Sequence, residues 1–93
     1  MTGEAVRELH IAGVLVQARA AAMARLRTSV AQLPGATLAQ SADDGRLVVV
    51  VEHGSAQGVM DTLSALRDLP GVINVALVYQ HAEPWDAMQQ EMP

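Results

Sequence analysis

Side chains able to do chemistry are few in this chain. It holds three histidines (His10, His53 and His81) and no cysteine. Each histidine falls at the end of a segment that reads as a strand, and no two have the spacing of a metal-ligand pair, so they read as solvated strand ends. The absence of Cys removes thiolate ligands, cysteine nucleophiles and disulfides, and fits a reducing compartment. Ser55 has no His or acid partner in the sequence and stands just before a helical segment, the place of a capping hydroxyl rather than a nucleophile. Asp43 and Asp44 precede Gly45 and read as turn residues, not as a cation site. Gly35 and Gly71 stand singly, without the glycine-rich run that cradles a phosphate. The expectation is a protein with no catalytic residues, no cofactor and no metal, and therefore not an enzyme.

The elements that carry these residues are organised around Gly45 to His53, where four consecutive valines follow the Asp44-Gly45 turn. So short a β-branched run reads as a strand. Leu9 to Ala18 and Val72 to His81 read as further strands, and Ala36 to Ala42 as a short edge strand forming a hairpin with the valine strand. From about Arg19 the residues turn to helix formers, with Met23, Leu26, Val30 and Leu33 on one stripe. A second helix from Ser55 to about Asp68 carries Val59, Leu63 and Leu66, with Met60 alongside; both methionines are expected in the core. Leu33-Pro34-Gly35 and Leu69-Pro70-Gly71 punctuate the two helix ends alike. The order β-α-β-β-α-β is that of an α+β, ferredoxin-like split β-α-β fold: a four-stranded antiparallel sheet with two helices on one face. Residues 1–8 are expected to be a flexible N-terminus, 9–81 the domain and 82–93 a flexible tail.

Because strand side chains alternate, Ala12, Val14 and Val16 of the first strand and Leu47, Val49 and Val51 of the valine strand are expected under the helices. On the last strand the same reading puts Ile73, Val75, Leu77 and Tyr79 in the core. The other face then carries an apolar centre (Ile11, Leu15, Val48, Val50, Ala76 and Val78) rimmed by Gln17, Glu52, Asn74 and Gln80. Two-layer architecture leaves that face without regular cover, and exposed apolar patches of this kind mark binding surfaces. Homodimerisation through the face, cover by the tail with Trp85 and Met88, and plain exposure are the other readings.

Composition narrows the partners. Ninety-three residues make one small domain without room for a deep enclosed site. Six arginines against ten acids leave a net charge of −4, and there is one Trp, one Tyr and no Phe. Both facts argue against nucleic acid, and the charge against an anionic membrane. No run approaches the ~20 apolar residues of a membrane span, and Met1 to Glu8 lacks the apolar core of a secretory signal, so a soluble cytoplasmic protein is expected.

The segments His10-Ile11-Ala12-Gly13-Val14-Leu15-Val16, Leu33-Pro34-Gly35, Gly45 to Glu52, and Leu69-Pro70-Gly71-Val72 through Leu77-Val78-Tyr79 to Glu83 together resemble the NapD family, cytoplasmic chaperones of the catalytic subunit of periplasmic nitrate reductase. The resemblance spans about residues 9 to 83. It implies binding of the client's twin-arginine signal peptide, which delays export until cofactor loading and folding are complete. The peptide-binding residues would be Ile11, Leu15, Gln17, Val48, Val50, Glu52, Ala76, Val78 and Gln80, with Glu52 the acid best placed for an arginine. A net-negative platform with an apolar sheet face suits a peptide with a cationic end and an apolar stretch. The competing reading is a small-molecule-sensing regulatory domain that dimerises through its sheet; paired cysteines, the mark of a third class, metallochaperones, are absent.

Overall fold

Alternation of β-branched segments with Ala, Leu and Met-rich ones produces strand β1 (Glu8–Ala18), helix α1 (Met23–Gln32), β2 (Ala36–Ala42), β3 (Arg46–His53), α2 (Ala56–Arg67) and β4 (Val72–Pro84). The structure is a computed structural model and describes residues 8–84. The strands lie in the order β2-β3-β1-β4, and every neighbouring pair is antiparallel. This is the ferredoxin-like arrangement, with β1 and β3 central.

The core lies between the sheet and the two helices. Val14, Val16, Leu47, Val49 and Val51 from the central strands meet Met23, Leu26 and Val30 of α1 and Val59, Leu63 and Leu66 of α2, all buried. These are the expected helix stripes and strand parities. The Ser55 side chain caps α2 by accepting from the Gly58 amide at 3.0 Å. The first helix starts later than expected: Ala20–Ala22 form a 3-10 turn and the α-helix begins at Met23, whose N-cap Ala22 has no side-chain hydrogen bond to offer.

The last strand departs most from expectation. It runs to Pro84, three residues past the expected end at His81, because Ala82, Glu83 and Pro84 pair with His10, Leu9 and Glu8. The rest of the expected tail, and residues 1–7, lie outside the described residues. Its pairing with β1 also slips twice. Val14 faces Leu77 while Gly13 faces Tyr79, so Val78 is an extra residue; Gln17 faces Asn74 while Ala18 faces Val72, so Ile73 is another. Each slip is a β-bulge, which shifts the alternation beyond it by one residue. Ile73 is consequently 67% exposed rather than core. Tyr79, expected in the core, pairs with Gly13 on the opposite face, and Gln80, expected on the open rim, pairs with the core-facing Ala12 and takes the helix-side parity. Leu77 keeps the helix-side parity yet is 47% exposed, because β4 is an edge strand less covered by the helices than β1 and β3. Met60 also lies outside the core, 45% exposed on the flank of α2.

Candidate functional site

Residues directly opposite one another in an antiparallel pair project from the same side of the sheet, so the register writes out the face that the helices leave uncovered. From the β2 side to the β4 side, one row is Thr37, Val50, Gly13 and Tyr79, and the next is Gln40, Val48, Leu15 and Ala76. A polar row of Ala42, Arg46, Gln17 and Asn74 closes one end, and Glu52, Ile11 and His81 close the other. The register thus brings together Ile11, Leu15, Gln17, Val48, Val50, Glu52, Asn74 and Ala76. Val78 sits in the bulge between rows, 68% exposed, and Gln80 belongs to the other face.

The apolar middle is accessible. Val48 is 36% exposed, and Ile11, Leu15 and Val50 are half-buried. Beside Leu15 and Val48 a shallow depression of about 230 Å³ is walled by Gln40, Ser41, Ala42 and Arg46. Tyr79, half exposed, lays its ring across Gly13, which is buried beneath it. Sequence reasoning missed Tyr79 because Val72 to Val78 is apolar on both parities but for Asn74, so no alternation marks the bulge. An apolar run interrupted only at Asn74, on an edge strand, is the one signal in the sequence that points to a bulge there.

Charge is unequal at the two ends. Arg46 is held by Asp44, with Nη2 at 2.9 Å from Oδ2 and Nε donating to Oδ1 at 3.2 Å. That fork lowers the Asp44 carboxyl below its ordinary value and raises Arg46, through the side-chain hydrogen bond first and charge second. The Glu52 carboxylate, by contrast, makes no hydrogen bond or ion pair with the described residues. Among the described residues the face therefore presents an unpaired carboxylate at the Glu52 end and a neutralised pair at the Arg46 end.

Two of the histidines, His10 and His53, are less solvated than expected, whereas His81 is exposed. His10 and His53 face each other across β1 and β3 on the helix side. The His10 side chain is 15% exposed, with Nε2 3.2 Å from Glu8 Oε1. His53 Nε2 lies 2.7 Å from the Thr62 hydroxyl, which reaches the Pro34 carbonyl at 3.4 Å; the ring sits so close to Gly35 and Gly58 that neither could carry a side chain without moving it. These contacts tie α2 to the end of β3, and Thr62 is too buried to serve as a nucleophile. Among the described residues no three His, Cys, Asp or Glu side chains gather as metal ligands, and no helix is long and apolar enough to cross a membrane. What the open face can do is bind an elongated partner.

The sequence profile of the NapD protein family matches residues 9–84, from the start of β1 to the end of β4. The chain belongs to the NapD family. Chaperone NapD of Escherichia coli (strain K12) is 32% identical over 75 residues, 80% of this chain and 86% of that protein. Chaperone NapD of Haemophilus influenzae is 25% identical over 81 residues, 86% of this chain and 87% of that one. The solution structure of the E. coli Tat proofreading chaperone protein NapD superposes with a TM-score of 0.76 at 28% identity, covering 96% of this chain and 92% of that one. As a NapD family member the chain has the role of a chaperone.

Proposed function

We propose that the open face binds the twin-arginine signal peptide of the periplasmic nitrate reductase catalytic subunit and so delays export of that client, from the cytoplasmic side, until cofactor loading and folding are complete. The observation that carries this reading is the Glu52 carboxylate, without a partner among the described residues, at one end of an apolar strip formed by Val50, Val48, Ile11 and Leu15. A signal peptide has the complementary layout, a positively charged segment followed by 7–15 apolar residues. Its apolar part, folded as a helix, would lay one face on the strip, and its cationic end would meet Glu52, which also speeds encounter.

Calorimetric titration of the full chain with a synthetic twin-arginine signal peptide tests this reading. Saturable one-to-one binding at micromolar affinity or tighter, about −8 kcal/mol, weakening with salt, is the expected result. A peptide that fails to bind at millimolar concentration, or a chain that self-associates through the same face and excludes peptide, would overturn it.

A further inference from the structure

We infer that the open face reads the two arginines of its peptide with two different groups, the Glu52 carboxylate and the Tyr79 ring, and thereby sets the bound peptide with its amino-terminal end at the Glu52–His81 edge of the sheet. The inference rests on the peptide-binding reading above and adds the recognition chemistry and the polarity of the bound chain.

Tyr79 is the chain's single tyrosine, and there is no phenylalanine. The bulge at Val78 carries it to the open face, and the missing side chain at Gly13 lets its ring lie down on the sheet. A ring supported from below and half exposed is a ready platform for a guanidinium, which stacks on aromatic faces where an ammonium does so less well. Glu52 and Tyr79 lie in adjacent rows on either side of β1. Two strand spacings across and two residues along the strand put their backbones about 12 Å apart, so a peptide lying over Ile11 and Gly13 can offer one arginine to each.

Polarity follows from the other end of β3. Arg46 lies six residues from Glu52 in the same strand, about 20 Å at the rise of a strand. An α-helix of about 13 residues spans that distance, within the 7–15 apolar residues of a signal peptide. Reversed, the peptide would set its arginines beside Arg46, whose counter-charge is already taken by Asp44. The positive end of a helix dipole favours the same orientation.

The test is a cycle of two protein variants, Tyr79→Leu and Tyr79→Phe, against three peptides carrying Arg-Arg, Lys-Lys or Ala-Ala, read by calorimetry. Tyr79→Leu should weaken the Arg-Arg peptide about fivefold to twentyfold, leave the Ala-Ala peptide within twofold, and shrink the preference for Arg-Arg over Lys-Lys; Tyr79→Phe should behave as wild type. A nitroxide at the peptide's amino terminus should broaden the wild-type amides of Ile11 and His81 and spare those of Gln17 and Asn74. Equal losses with Arg-Arg and Ala-Ala peptides would make Tyr79 merely apolar surface, and broadening at Gln17 and Asn74 would reverse the peptide; either overturns the inference while the binding reading stands. Wild type that binds none of the peptides overturns both. The spin-label arm needs no variant, so a Tyr79→Leu chain that fails to fold leaves the inference testable.

Discussion

The Tyr79 ring occupies the space that a side chain at Gly13 would fill. Two residues from different strands thus make one feature: β1 provides a gap, and a bulge in β4 turns the aromatic residue toward it. Gly13→Ala should displace the ring rather than the backbone, because the overlapping atoms are the far end of a side chain free to swing outward. The stability cost should stay below about 1 kcal/mol, under the usual range for overpacking a closed core. The ring-current shift of the α protons at position 13 should collapse at the same time; a loss of several kcal/mol would mean the ring cannot move.

Val50→Asp should abolish peptide binding while the domain stays folded. Val50 is half-buried on the open face, between Thr37 and Gly13. An aspartate there meets water in the free chain but loses it against an apolar peptide, at a cost of several kcal/mol. Circular dichroism beside the titration separates the outcomes: a folded variant with undiminished affinity would remove the open face as the site, and an unfolded one would assign Val50 to the core.

Leu66→Ala and Leu77→Ala should differ sharply although both leucines have helix-side parity or packing. Leu66 is 0% exposed between α2 and the sheet, and its truncation should cost about 2–5 kcal/mol. Leu77 is 47% exposed on the edge strand, so its truncation should cost less than about 1.5 kcal/mol. Urea midpoints with unchanged slopes would establish the ranking.

Gly35→Ala should destabilise by about 1–3 kcal/mol. Its φ is +79°, and an added methyl would run into the backbone carbonyl of Glu52, whose own amide donates to the Gly35 carbonyl at 2.8 Å. Gly54→Ala is the control, since nothing lies near its Cβ direction. Equal thermal midpoints for the two variants would contradict the strain argument.

Arg46→Ala should raise the Asp44 carboxyl toward its ordinary 3.8, because Arg46 is what holds it down. A carboxyl lowered in the folded state adds stability that is complete above its unfolded value and disappears as pH falls through the folded one. Any acid destabilisation from this pair therefore belongs below pH 3.8, and the solvent exposure of both side chains keeps it small. Carboxyl carbon shifts of Asp44 followed across acid pH, in both chains, check the direction.

The residues alone determined the order of elements, the two helix stripes, and which parity of β1 and β3 lies under the helices. Those features rest on local causes: β-branched runs, three-and-four spacing of apolar residues, and turn glycines such as Gly35, Gly45 and Gly71, all with positive φ. From them the ferredoxin-like sheet and most of its open face, from Ile11 to Ala76, were legible. The face of Tyr79 and Gln80 was not. An extra residue at Val78 leaves no mark in a run that is apolar on both parities, and its position is decided by hydrogen bonds to β1, more than sixty residues away in sequence. The exposure of Leu77 and the low exposure of the His10 side chain likewise depend on how far each helix reaches over the sheet. Alternation reports only the side to which a residue points; what stands on that side is set by packing between elements distant in the chain.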